Sequence, residues 1–504
     1  MLLRRVPFLV VPIALLATAL LLNRGSPAFA DGDKPAAPPE GGMDGAGMDP
    51  GTPPAAGMDG DGMDPGMDGE AKGDGDEEDS DTPVPLQKRV EKAVQDGVKW
   101  LKQRQLPDGS WGLIEGDAAY GGAKGGVEYK HPAGATALAL YTLLKCKEAY
   151  NDPVITKGFK YLRDKQKLPG SSYETSMMLL AVTAVADPFK KVKASEAQGD
   201  KVKFPSGDWR DWAQKLHDAL IAKRAKEKGL LGWRYQIENV QAAPGGNQDM
   251  SSTQLATLAL LSAERCGIKT ETKVWNDIIT FSMKQQADDG AEWDRAVYDK
   301  KKGPDGAKPA PGGADPDKGR YAPPPGTKAA KDKCRGYSYI KLDSLPAHEA
   351  QPTGGMTACG VCNIMCARYI LTRREDKIFA GRNQNDIQQS IYDGCAWLDA
   401  NWSTFENPNR SGYHIYYMYC CERAFDLIGN NLLGKHYWYA EFAQELVARQ
   451  SAKGFWDTKS THRPTEVLDT CFALLVLKRS TKGGIPFGSI TGGGDEPPED
   501  NRGK

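Results

Sequence analysis

From Val84 to about residue 480 the apolar residues recur with a helical period, and the helices alternate in kind. A segment apolar along one face is followed each time by one apolar nearly all round. VEKAVQDGVKWLKQRQLPDGSWG precedes ATALALYTLLKCKEAY, ITKGFKYLRDKQKLPGSSY precedes ETSMMLLAVTAVA, and WRDWAQKLHDALIAKRAKEKGLLGWRY precedes STQLATLALLSAERCG. In the second half VWNDIITFSMKQQADDGAEW precedes MTACGVCNIMCARYIL, IQQSIYDGCAWLDANW precedes HIYYMYCCERAFDLIG, and YWYAEFAQELVARQSAKGFWD precedes DTCFALLVLKRS. A helix apolar on all sides must be covered on most sides, whereas a one-sided helix needs a single neighbour. The alternation therefore predicts an all-α fold, an (α/α)6 toroid of six outer/inner helix pairs in which an outer ring sheathes an inner one.

The rest of the chain reads differently. Arg4 and Arg5 precede an apolar run and a small-x-small site at Ala28-Phe29-Ala30, so residues 1–30 read as a Sec-type signal peptide whose apolar run borders on anchor length. Residues 31–83 repeat GMDG and GMDP units and carry sixteen acids against Lys34 and Lys72, a disordered acidic leader near −14. With three arginines in residues 1–30, the overall charge of −1 leaves about +10 on residues 84–504. Spread over amphipathic helices without interleaved aromatics, that charge does not point to nucleic acid. Within the toroid, 84–483, residues 299–335 are rich in Pro, Gly and Lys and read as a loop insertion, and residues 484–504 as a disordered tail. The expected location is periplasmic or in the cell envelope.

Outer helices end in a shared signature. Gln105-LPD-Gly109-S-Trp111 and Gln450-SAK-Gly454-F-Trp456 have one spacing, and Gln286-ADD-Gly290-AE-Trp293 and Gln166-KLP-Gly170-SS-Tyr173 have one residue more. Gly can take the left-handed conformation that stops a helix, Gln can satisfy orphan backbone groups, and the aromatic ring can pack the turn onto its neighbour.

These QW motifs on alternating helices resemble the terpenoid cyclase and protein prenyltransferase superfamily, in particular the prenyltransferase and squalene-oxidase repeats of squalene-hopene cyclases, over residues 88 to 480. YYMYCCERAF, GKHYWYAEFAQELVARQ and DTCFALLVLKRS are most similar to exported bacterial repeat proteins with no assigned reaction. In the cyclases a D-x-D-D-T segment opens an inner helix, and its middle Asp protonates an alkene. Set against that pattern, Asp249-Met250-Ser251-Ser252-Thr253 keeps the first Asp and the Thr but places Ser251 at the donor. A hydroxyl is too weak an acid to protonate an alkene, so the resemblance implies the scaffold without conventional polyene cyclisation.

A Thr opens five inner helices, at Thr136, Thr175, Thr253, Thr357 and Thr470, and a carboxylate precedes it at Glu174 and Asp469. If the inner helices run parallel, Glu174, Asp249, Glu466 and Asp469 ring one mouth. They are either relocated catalytic acids or helix caps favoured by the dipole. Tyr413, His414, Tyr416 and Tyr417 give the fifth inner helix an aromatic face and, with Ser251 and Thr253, are the ligand-binding candidates.

Zinc-dependent prenyltransferases of the superfamily use a D-x-C segment and a His, and Asp393-Gly394-Cys395 with His414 looks similar locally, though Asp393 and Cys395 fall within an outer helix. No cofactor follows from the remaining residues. Cys359, Cys362 and Cys366 share a helix face and Cys420 and Cys421 are adjacent; they read as small buried hydrophobes, and any disulfide would run between helices. The reading that results is an exported squalene-cyclase-like protein binding an apolar, glycan or peptide ligand in its central cavity. Its rivals are a terpene cyclase-like isomerase or a carbohydrate lyase or hydrolase built on the relocated carboxylates, and a zinc-dependent prenyltransferase-like enzyme.

Overall fold

A computed structural model describes residues 85–112, 132–186, 203–224, 231–234, 248–297, 330–341, 350–430, 432–458 and 466–479. The signal segment, the leader, most of the insertion and the tail lie outside them. The first half contains α1 (Leu86–Gln103), α2 (Pro132–Lys145), α3 (Pro153–Lys165), α4 (Ser172–Ala184), α5 (Trp209–Ala222), α6 (Met250–Arg265) and α7 (Thr272–Lys284). The second half contains α8 (Gly354–Arg373), a short α9 (Lys377–Ala380), α10 (Gln384–Ala400), α11 (His414–Ile428), α12 (Trp438–Arg449) and α13 (Glu466–Leu477).

The two helix classes bury what their patterns demand. In α1 the buried residues Val90, Ala93, Val94, Gly97 and Leu101 form one stripe, whereas α6 buries every residue from Met250 to Ala263. The all-round helices α2, α4, α6, α8, α11 and α13 pack each on the next, and α13 packs back on α2, which closes a ring. The one-sided α1, α3, α5, α7, α10 and α12 lie against its outside. Corresponding ends meet within the ring: the Gly134 N–H faces Glu174 Oε1 at 3.4 Å, and the Tyr173 hydroxyl lies 2.5 Å from Ser251 Oγ. The inner helices are therefore parallel, with their N-termini at one rim.

The outer-to-inner turns show what the signature does. The Trp111 indole donates to Leu101 O and its backbone N–H to Thr136 Oγ1, while Gln105 Nε2 donates to Gly109 O and Val154 O. Gln450, Trp456 and Thr470 repeat the arrangement, and Trp233 bonds Leu220 O and Thr253 Oγ1 in the same way. The recurrent Thr is thus the clasp that holds the incoming turn. The Trp111 and Trp456 rings each lie under a glycine of an outer helix: a Cβ on Gly158 would come within 2.9 Å of Trp111, and one on Gly97 within 2.9 Å of Trp456.

Two of the four signatures need correction. Trp293 is not the fourth clasped aromatic; it is 39% exposed on β1 (Glu292–Asp294), which pairs antiparallel with β2 (Lys331–Lys333). Tyr337 takes that place, its N–H donating to Thr357 Oγ1 and its hydroxyl to Ser390 O, while Gln286 reaches across to Arg335 O. The insertion separates the Gln from its aromatic and uses residues 331–333, expected as loop, as a strand. Tyr173 is the second exception, because it lies inside α4 and points along the ring toward α6.

Candidate site at the inner-helix mouth

The clasping threonines face the outer layer. At about 100° per residue, the positions two before, two after and five after each of them face the ring axis. Tyr173 and Ser251 accordingly stand at the rim. Leu138, Met177, Leu255, Cys359, Tyr416 and Phe472 make the next layer, and Tyr141, Leu180, Leu258, Cys362, Tyr419 and Leu475 the one below. The contacts support this register: Tyr416 OH lies 3.8 Å from Cys359 Sγ, and the Phe472 ring lies 5.4 Å from that of Tyr416 and 4.9 Å from that of Tyr419. Tyr173 on α4 lies close enough across the ring to act electrostatically on Tyr416 of α11. Burial, first of all, pushes both phenols well above the ordinary tyrosine range. The lining of the lumen is thus largely apolar, with two neutral phenols at its entrance.

Below these layers the lumen meets a charged floor that its sequence position in CCERAF did not disclose. Arg423 Nε lies 3.3 Å from Glu422 Oε2, and the guanidinium sits 4.7 Å over the Tyr419 ring. Burial opposes the Arg423 charge, but Glu422, Tyr141 and Tyr419 outweigh it and hold the guanidinium protonated. The available signal was an adjacent charged pair in the middle of a largely apolar inner helix.

Asp249 is wholly buried and caps α6. Its Oδ1 accepts from Ser252 N at 2.7 Å and from Ser251 Oγ at 3.1 Å, and its Oδ2 accepts from Ser252 Oγ at 2.8 Å. Burial raises its carboxyl above the usual range, against the pull of the Ser252 N–H. Asp469 accepts from the Thr458 N–H and hydroxyl at 2.9 and 2.8 Å, and Glu174 faces the Gly134 N–H. Glu466 is the half-buried first residue of α13. These carboxylates share the rim, with Glu174 and Asp249 on the adjacent helices α4 and α6, and Glu466 and Asp469 on α13, which α2 separates from α4. Those of Glu174, Asp249 and Asp469 meet backbone N–H groups.

The ligand candidates separate into two sets. Ser251 and Tyr416 face the lumen. Thr253 clasps Trp233, Tyr417 packs edge-on to Phe442 of the outer helix α12, and His414 Nε2 bonds Thr404 O at 2.8 Å. Tyr413, with φ of 56°, is the left-handed residue at which the chain enters α11. Tyr173, which the Gln166-Gly170-Tyr173 spacing marks as a helix stop, belongs with the lumen set.

The residues singled out for zinc do not fit the ion. Asp393 accepts from Lys333 N, Gln389 Nε2 and Arg335 Nε at 2.7 to 2.9 Å, and Gly394 makes room for the Tyr337 ring. Cys395 is fully buried, with its thiol pushed up by burial. Among the described residues no three His, Cys, Asp or Glu side chains are grouped to hold a metal. The D-x-C segment is there to dock the insertion and seat Tyr337. Outside the ring, a shallow groove of about 320 Å³ between α3 and α5 has its Arg163 stacked on Trp209 and Trp212 and bonded to Asp208.

Residues 84–181 match the family model of the squalene-hopene cyclase C-terminal domain. No curated protein matches. Among solved structures, the apo type II terpene cyclase from Scytonema is 12% identical over 79% of this chain and 99% of its own, with a TM-score of 0.42. A variant of that cyclase in complex with geranylgeranyl dihydroxybenzoate is also 12% identical, over 79% and 99%, with a TM-score of 0.43. An inactive α-1,6-mannanase variant of Salegentibacter sp. HEL1_6 in complex with α-1,6-mannotetrose is 8% identical over 79% and 99%, with a TM-score of 0.42. The chain carries a terpenoid-cyclase-like α/α toroid.

Proposed function

We propose that the toroid is a binding module whose lumen receives one slender apolar chain, of isoprenoid or acyl type, end-on between Tyr173 and Tyr416, and that it does so without protonating it. The observation that carries this reading is the pairing of an apolar lumen with Ser251 at its rim. A polyene cyclase needs an undissociated acid in contact with the alkene. Here Ser251 and the phenols face the chain, and Asp249 is occupied as the cap of α6. Leu138, Met177, Leu255 and Phe472 offer apolar contact along the lumen, and the neutral phenols can bond one polar end group. A glycan would leave hydroxyls unpaired against these walls, and glycosidase chemistry needs two carboxylates facing each other across a cleft.

One observation favours a second reading, in which the protein is an acid catalyst. Burial holds Asp249 toward its neutral form, and hydrogen bonds run from it through Ser251 to Tyr173 at the lumen. Native mass spectrometry of the full chain after incubation with a polyprenol, a long-chain fatty acid and a mixed oligosaccharide tests the main proposal. A one-to-one polyprenol or acyl adduct, lost in Leu255→Arg, supports it. An adduct with the oligosaccharide alone, or none, sinks it. Extraction and chromatography of the same polyprenol incubation test the second reading, which requires a new product that Asp249→Asn abolishes.

A further inference from the structure

Buried sulfurs gather where α8 and α11 pack together. Cys359 Sγ on α8 lies 3.5 Å from Cys420 Sγ on α11, both fully buried, and the two residues are 61 apart in sequence. Cys362 and Cys366 share the α8 face with Cys359, one turn and two turns further along. Cys421 faces the other way, next to the Tyr417 hydroxyl. We infer that Cys359 and Cys420 are a built-in disulfide pair, a cross-link that staples two neighbouring inner helices through the lumen wall.

The geometry selects this pair over the others. A disulfide joins its sulfurs at about 2.05 Å and needs β-carbons that face each other from separate stretches of backbone. Cys359 and Cys420 already bring their sulfurs to 3.5 Å across the α8–α11 contact, and the bond draws them closer by about 1.5 Å. Cys420 and Cys421 are neighbours on one helix with side chains diverging, and Cys362 and Cys366 are a single turn apart on another. Formation needs an oxidant, and a low-molecular-weight disulfide such as oxidised glutathione suffices. The thiolate of one cysteine attacks the glutathione disulfide and releases one glutathione thiol. The thiolate of the other attacks the mixed disulfide and releases the second, so two protein thiols are oxidised and one glutathione disulfide is reduced. In the folded ring both thiols are shielded, and burial pushes the Cys359 thiol well up, so the bond belongs to the folding reaction, before the wall closes.

The bridge also acts on the lumen. In the thiol form Cys359 Sγ lies 3.8 Å from Tyr416 OH. Closing the bond removes both S–H groups beside that hydroxyl and fixes α8 and α11 to each other near the entrance.

The test is to refold the full chain from reducing denaturant with or without oxidised glutathione, block free thiols, and digest. Oxidative refolding is expected to lower the intact mass by about 2 Da for this bridge and to give a linked peptide pair whose fragment ions place the bond at Cys359 and Cys420. The link persists in Cys421→Ser, Cys362→Ser and Cys366→Ser and is lost in Cys359→Ser and Cys420→Ser. Circular dichroism of each variant under reducing conditions checks that it folds, and the fragment ions of the unmutated chain decide the pairing independently of any variant. The oxidised chain should also melt on the order of 5 °C higher. Recovery of Cys359 as a blocked free thiol after oxidative refolding, or its linkage to another cysteine, overturns the proposal, and a bridge without a change in Tm removes the stapling role.

Discussion

The backbone N–H of Trp456 donates to the Thr470 hydroxyl over 3.0 Å, and the same bond joins Trp111 to Thr136, Trp233 to Thr253 and Tyr337 to Thr357. Each bond is buried, so removing the hydroxyl strands a backbone donor where no water can reach it. Thr470→Val and Thr253→Val should each destabilise the fold by about 1–3 kcal/mol. Thr175 is the internal control. Its hydroxyl donates within its own neighbourhood, to Ser171 O at 2.7 Å and Pro169 O at 3.3 Å, and holds no incoming aromatic segment. Thr175→Val should cost distinctly less. Urea unfolding of the three variants measures the difference, and equal losses would remove the clasp from the account.

The glycines over the clasped rings give a second expectation. A Cβ at Gly158 would lie 2.8 Å from Leu140 Cδ2 and 2.9 Å from Trp111 Cζ3, and one at Gly394 would lie 2.8 Å from Val361 Cγ2 and 2.9 Å from Tyr337 Cε2. Alanine is the better helix former by about 1 kcal/mol, which works in favour of the substitution. The rings cannot retreat, because the Trp111 indole is tied to Leu101 O and the Tyr337 hydroxyl to Ser390. Overpacking of about 1–3 kcal/mol should therefore win, and Gly158→Ala and Gly394→Ala should both lower Tm. Gly170, with nothing near its Cβ position, should tolerate alanine.

These clasps also mark how far the sequence could be read. The alternation of one-sided and all-round helices was sufficient for the ring, because burial on all sides leaves a helix no other place. Trp111 and Trp456 were legible as helix stops because Gln, Gly and Trp lie within a few residues of one another. Tyr337 was not, since the chain leaves Gln286, makes the β1–β2 excursion and returns before supplying the aromatic. A signal was present: Gly336-Tyr337 precedes Thr357 by the same 20 residues that separate Trp233 from Thr253. At the mouth, residue types revealed which carboxylates open inner helices, but only the rotation of each helix decides what faces the axis. That rotation turns Thr253 and Tyr417 outward and Tyr173 inward, and single-helix periodicity carries no information about it.

Asp249 joins the cap of α6 to the rim of the lumen, and its two roles respond differently to substitution. Asp249→Ala removes the acceptor for Ser252 N and should cost about 1–2 kcal/mol. Asp249→Asn keeps an amide oxygen for that N–H and removes the buried charge. Burial raises the folded-state carboxyl above its ordinary 3.8. The contribution from its protonation is therefore fully present below that value and is lost as pH rises through the raised folded value. The unmodified chain should lose stability relative to Asp249→Asn as pH rises above about 4. Denaturation at several pH values checks this, and a constant difference between the two would mean that Asp249 titrates normally.

His414 should give the opposite slope. It opens α11, the one inner helix without a Thr at that point, and its Nε2–H donates to Thr404 O at 2.8 Å, which fixes the neutral tautomer. Burial, reinforced by Arg449, lowers its pKa from 6.5 to about 4, while the bond to Thr404 works the other way. Because the folded value is depressed, the contribution is present above the unfolded pKa of 6.5 and is lost as pH falls through the folded value near 4. A shift of this size corresponds to about 3 kcal/mol lost across that window. Glutamine can place an amide N–H where the imidazole Nε2–H sits and does not titrate. His414→Gln should therefore keep most of the stability at pH 7 and lose less than the unmodified chain between pH 6.5 and 4, as read from urea midpoints at matched ionic strength. Parallel acid profiles for the two proteins would show that the imidazole takes up its proton without disturbing the entry to α11, and the neutral-histidine account would fall.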